Sequence, residues 1–169
     1  MSATQTKPNP QKLLVIGVGN EFRNDDAVGI NVARKLRKLN ISAIQIMEDT
    51  GDGAKLIEKW KDQDVVVVVD AASSGSEPGM IYRFDAVKQK MPTQFFNYSS
   101  HNFSVAEAVE MSRTLNQLPK RLVVYGIEGK DFTQGNSVTS PVKKAADYVL
   151  DIIVEEFRTK HSTGQHSHK

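Results

Sequence analysis

Between residues 12 and 157 the spacing of apolar residues changes repeatedly, and each change marks a new element. Lys12 to Gly17 reads as an apolar run that closes on Gly17-Val18-Gly19-Asn20, the pattern of a buried first strand entering a tight turn. Val28, Val32 and Leu36 then recur at helical spacing. Ile41 to Met47 alternates as a second strand, and Leu56, Ile57 and Trp60 mark a short helix that begins near Asp52. Asp64 to Asp70 is the third strand. Its five consecutive valines leave no polar face, which is what a central parallel strand covered by helices on both sides requires.

Gly75 to Pro78, followed by Gly79, reads as a turn into an edge strand over Met80 to Phe84, and a loop then runs through Pro92 to His101. Phe103 to Leu115 is expected to be helical, with Ala108, Met111 and Leu115 on one face, and Arg121 to Ile127 is a further strand. Val142, Ala145, Ala146, Val149, Ile153 and Phe157 outline a long amphipathic helix, with Pro141 at its start, where a missing N–H does no harm. This alternation predicts an α/β three-layer sandwich: a mostly parallel, twisted sheet of about five strands with helices on both faces. One domain is expected over residues 11–159, between a disordered N-terminus (1–10) and a disordered tail (160–169), both polar and poor in apolar residues.

Composition narrows the function classes. The 169 residues carry 25% charged side chains and a net charge of +2, with Lys and Arg scattered along the chain, so neither nucleic acid nor a membrane surface is an expected partner. The complete absence of Cys removes disulfides, thiolate metal ligands and a cysteine nucleophile. The N-terminus lacks the apolar core of a signal peptide, and the longest apolar run, Val65 to Val69, is too short to span a bilayer, so a cytoplasmic location is expected. There is no assembly motif, and a monomer is expected.

In parallel sheets ligands bind beyond the carboxyl ends of the strands, so the loops there are where chemistry is sought. After the first strand come Glu21-Phe22-Arg23-Asn24-Asp25-Asp26. A dinucleotide-binding turn needs a third glycine where Phe22 stands, and a helix start free to receive a pyrophosphate where Asp25 and Asp26 stand. Asn24 or Asp25 can cap the following helix, in which case Asp25 tolerates Asn, while Asp26 is either a favourable first-turn carboxylate or a cation ligand. Asp70 ends the valine strand at the active edge of the sheet, although a side chain there can also cap its own turn.

His161, His166 and His168 lie in the tail, which leaves His101, in Ser99-Ser100-His101-Asn102, as the imidazole of the folded body. Two carboxylates and one imidazole in strand-end loops suit a borderline divalent ion such as zinc or nickel. The chain lacks His-Glu-x-x-His, Gly-x-Ser-x-Gly and a P-loop, so peptide or ester hydrolysis here would run through a metal-activated water.

Gly17-Val18-Gly19-Asn20 followed by Asp25-Asp26-x-x-Gly29, then Val69-Asp70-Ala71, then Ser100-His101-Asn102, resemble in order and spacing the motifs of the hydrogenase maturation endopeptidases, over about Leu13 to Phe157. Glu48-Asp49-Thr50-Gly51-Asp52-Gly53 resembles that family's glycine-rich loop, with the order altered. The resemblance implies a metal-dependent endopeptidase that trims the C-terminal extension of a nickel-iron hydrogenase large subunit precursor. It implies Asp26, Asp70 and His101 as both catalytic residues and metal ligands, with nickel brought by the substrate and zinc or cadmium able to occupy the pocket. Two other readings compete with it: a nucleotide- or dinucleotide-binding protein in which Glu48 or Asp49 takes the ribose hydroxyls, and a non-catalytic assembly adaptor that holds the large subunit without cutting it.

Overall fold

The computed structural model describes residues 12–92 and 104–162, with side chains through residue 156. In chain order the elements are β1 (Leu13–Val18), α1 (Val28–Lys38), β2 (Ile44–Asp49), α2 (Gly53–Trp60), β3 (Val65–Ala72), β4 (Ile81–Asp85), α3 (Val105–Thr114), β5 (Arg121–Glu128) and α4 (Ser140–Ser162). A short 3-10 turn, Asn24–Ala27, leads into α1.

The sheet has five strands in the order β2-β1-β3-β5-β4, parallel except for the antiparallel edge strand β4. The valine run is central, and alternate valines feed two separate cores. Val65, Val67 and Val69 pack with Val28, Val32 and Leu36 of α1 and with Val142, Ala145 and Val149 of α4. Val66 and Val68 pack with Leu56, Ile57 and Trp60 of α2 and with Val105, Ala108 and Val109 of α3. Each fully buried valine contributes on the order of 2 kcal/mol, so covering both faces is what makes a strand with no polar face stable here. Trp60 is completely buried and satisfies its indole N–H by donating to Ser112 Oγ at 2.8 Å, which locks α2 to α3.

The sandwich and the edge position of β4 are as the apolar pattern predicts. Several local expectations change, among them the buried apolar face of α3, which is Val105, Ala106, Ala108 and Val109, while Met111 and Leu115 are exposed. β2 begins at Ile44 rather than Ile41, because Asn40 takes a left-handed φ of 50° and residues 41–44 form a turn, with Ile44 N–H on the Ile41 carbonyl at 3.1 Å. β3 continues two residues past Asp70, since Ala71 and Ala72 are buried and pair with Ile127 and Glu128 of β5. α4 runs to Ser162, which carries helix beyond residue 160. His101, His166, His168 and the Phe157 side chain lie outside the described residues. Among the described residues, no helix is long and apolar enough to cross a membrane.

Candidate functional site

β1 pairs with β3 only as far as Gly17 opposite Val69, so β3 rises past the end of β1 at Asp70 and opens a crevice there. α1 closes the back of this crevice at unusually short range. A Cβ at Gly29 would collide with the carbonyl oxygens of Val69 and Val18, and one at Gly17 would collide with the carbonyl oxygen of Gly29. Glycine at both positions therefore lets the helix start directly over the ends of β1 and β3, and the spacing Asp25-Asp26-x-x-Gly29 places the acidic turn beside Asp70.

The crevice is an open cleft of about 610 Å³ whose lining includes Asp26, Asp70, Asp49, Lys59, Ser104 and Phe22. Asp26 and Asp70 are only 7% and 5% exposed. Asp26 Oδ2 accepts the Asn20 N–H at 3.1 Å, which folds the turn after β1 around the carboxylate. Asp70 Oδ1 accepts the N–H of the following residue, Ala71, at 2.8 Å. Asp70 thus engages its own backbone, as the turn-capping reading expects, and also lines the cleft. Among the described residues no three His, Asp or Glu side chains form a metal-binding group, and His101 is not among those residues.

Neither Asn24 nor Asp25 caps a helix. The 3-10 turn and α1 begin without a side-chain capping bond. Asp25 is instead fully buried, and its oxygens accept the N–H groups of Lys130 (2.8 Å), Asp131 (2.9 Å) and Thr139 (2.7 Å) and the Thr139 hydroxyl (3.0 and 2.9 Å). Asn24 Nδ2 donates to the Thr133 carbonyl at 2.9 Å, and Asn24 Oδ1 accepts the Ser137 N–H at 3.1 Å. The segment between β5 and α4 thereby straps down the turn that carries Asp26. Asp131 is drawn below the ordinary carboxylate range by hydrogen bonds from the Thr133 hydroxyl and N–H, with a further one from Asn24.

The loop after β2 is equally committed. Asp49 accepts the N–H groups of Gly51 (2.7 Å) and Asp52 (3.1 Å) and pairs with Lys59 at 2.6 Å. Asp52 caps α2 through the N–H groups of Ala54 and Lys55. Glu48 pairs with Arg34 (2.9 Å) and Arg37 (2.8 Å). Burial pushes its carboxyl up, but the two guanidinium groups outweigh that and hold it below its ordinary value. Glu48 and Asp49 are thus both taken by cations of this chain, which removes the carboxylate a dinucleotide site needs for ribose. Lys59, Arg34 and Thr139 were not singled out from sequence, because their partners are set by which loops meet in the fold.

A family model described as hydrogenase maturation protease matches residues 30–156. The Hydrogenase 2 maturation protease of Escherichia coli is 25% identical over 153 residues, covering 87% of this chain and 91% of its own. The delta subunit of a coenzyme F420 hydrogenase from Methanothermobacter thermautotrophicus is 27% identical over 168 residues, covering 88% of this chain and 96% of its own. Among solved structures, an E. coli endopeptidase superposes with a TM-score of 0.74 at 23% identity, covering 88% of this chain and 93% of that one. The hydrogenase maturation protease HycI of Thermococcus kodakarensis superposes at 0.66 with 23% identity and the same coverage. These superpositions show a shared fold, and the family match, which spans most of the sheet and the third-strand motif, adds the lineage: the chain belongs to the hydrogenase maturation protease family.

Proposed function

We propose that this chain is an endopeptidase that removes the C-terminal extension of a nickel-loaded large subunit precursor of a nickel-iron hydrogenase. The observation that carries the reading is the convergence of Asp26 and Asp70, from different strand ends, on one cleft beyond the carboxyl edge of the sheet. Support for His101 as the third member comes from the sequence: it stands three positions before Ser104, which lines the same cleft and caps α3. Two carboxylates and an imidazole are oxygen and nitrogen donors suited to a borderline ion such as nickel, and zinc or cadmium would compete for the same donors.

In this reading nickel arrives as part of the substrate. Asp26 and Asp70 hold their carboxylates in place through Asn20 and the β3 backbone, so the precursor's ion meets oxygens already oriented. A precursor without the ion forfeits those bonds and stays uncut, which makes cleavage a checkpoint on metal loading. The non-catalytic adaptor reading shares the binding step and lacks the cut.

The test is incubation of the purified protein with nickel-loaded and nickel-free precursor, followed by the mass of the large subunit. Loss of a C-terminal peptide from the loaded form alone is the expected result. Binding of the loaded precursor with no change in mass would overturn the peptidase reading in favour of the adaptor.

A further inference from the structure

Phe22 is 66% exposed, more than any other large apolar side chain among the described residues, and it stands on the lining of the cleft that holds Asp26 and Asp70. Its backbone has no such freedom. The Phe22 N–H donates to Asn20 Oδ1 at 2.9 Å, and its carbonyl accepts the Gly135 N–H at 2.8 Å. Arg23, next in the chain, forms a parallel bridge with Gly135, and the Asn24 N–H returns to the Gly135 carbonyl at 2.9 Å. An aromatic ring is therefore presented to solvent on a mount fixed from behind by the segment between β5 and α4.

The other apolar residues of the lining, Val18, Ile30 and Val105, are buried in the body of the protein. Most of the charged lining is engaged within the chain: Arg34 with Glu21 and Glu48, and Lys59 with Asp49. Among the described residues, the apolar contact that the cleft can offer an incoming peptide is thus the Phe22 ring. A ring on pre-ordered backbone gives contact area with little further ordering, which is the physical profile of a binding hot spot.

We infer that Phe22 is the specificity-determining anchor of the cleft and packs against an apolar side chain of the precursor next to the bond that is cut. The inference rests on the endopeptidase reading for its occupant, and a binding measurement separates the two. The probe is the nickel-loaded large subunit precursor, titrated against wild type, Phe22→Ala and Phe22→Leu, with cleavage followed in parallel.

Phe22→Ala is expected to raise Kd and KM by about tenfold or more, from the loss of a buried aromatic contact. Its thermal midpoint stays at the wild-type value, because the ring is largely exposed and leaves the core intact when removed. Phe22→Leu restores most of the affinity, and the deficit of the alanine variant persists at high salt, as an apolar contact requires. A Kd for Phe22→Ala within about twofold of wild type overturns the anchor. So does a homodimer of this chain that the same substitution dissolves, since the ring would then serve self-association. Wild type that binds the precursor without cutting it refutes the endopeptidase reading while the Kd comparison still judges Phe22, and wild type that does not bind overturns the anchor.

Discussion

Asp25 and Thr139, 114 positions apart, are joined by three hydrogen bonds: the Thr139 N–H on Asp25 Oδ1 at 2.7 Å and its hydroxyl within reach of both carboxylate oxygens at 3.0 and 2.9 Å. The contact ties the start of α4 to the turn ahead of α1, and Asp26 is the next residue along that turn. A helix cap would be replaceable by Asn; a buried carboxylate that gathers three backbone N–H groups is not. We expect Asp25→Asn to destabilise the fold by about 2 to 4 kcal/mol and Asp25→Ala by more, because buried donors lose their acceptor. Urea unfolding measures this, and an Asp25→Asn midpoint equal to wild type would show that the strap does not hold the turn.

Lys59 supplies the cation for Asp49, whose side chain is 1% exposed while that of Lys59 is 26% exposed. Lys59→Met should cost about 3 to 5 kcal/mol, because it leaves a buried carboxylate with only the Gly51 and Asp52 N–H groups. Lys61→Met breaks an exposed pair with Glu58 and should change stability by less than about 1 kcal/mol. Comparable unfolding midpoints for the two variants would refute the assigned difference.

Gly29 sits in the first turn of α1, where alanine is worth up to about 1 kcal/mol in helix propensity. Its Cβ would meet the backbone oxygens of Val69 and Val18, which cannot move without shifting the sheet. Overpacking of this kind costs about 1 to 3 kcal/mol or more, so steric conflict outweighs propensity. Gly29→Ala is expected to lower the thermal midpoint and to impair precursor processing together. A rise in midpoint would mean that α1 stands farther from the strand ends than described.

Glu110 is partly buried, which pushes its carboxyl up, yet hydrogen bonds from Arg113 and from the Met91 N–H outweigh burial and hold it below its ordinary 4.5. A carboxylate lowered in the folded state contributes stability that is fully present above the unfolded value and is lost as pH falls through the folded one. Glu110's contribution to the acid limb of the stability curve is therefore lost from near pH 4.5 downward. Glu110→Gln should flatten that limb, with lower stability at neutral pH, in urea titrations from about pH 7 to about pH 3. An unchanged slope would remove Glu110 from the acid response.

Under the proposed endopeptidase reading, Asp26→Asn and His101→Ala abolish processing of the nickel-loaded precursor while the circular dichroism spectrum and thermal midpoint stay close to wild type. Metal-dependent protection offers a second readout: nickel or zinc should raise the melting temperature of wild type more than that of either variant, by mass action on the folded state. Processing at wild-type rates in both variants would take these residues out of the mechanism.

Five valines in a row, helical spacing at Val28, Val32 and Leu36, and an acidic turn after the first strand were readable as a parallel sandwich with chemistry at its strand ends. They are readable because burial on both faces imposes a local pattern, and because the carboxyl edge of such a sheet follows from its topology. The pairing of Asp25 with Thr139, of Asp49 with Lys59, and the burial of Trp60 against Ser112 were not, since these contacts depend on which loops meet across the sheet. The identical side chain, a carboxylate in the first turn of a helix, is a cap, a structural clamp or a site residue according to what packs behind it. Asp25 became the clamp and Asp26 faced the cleft because Gly17 and Gly29 let α1 approach the strand ends, an outcome of three-dimensional packing that no local pattern encodes.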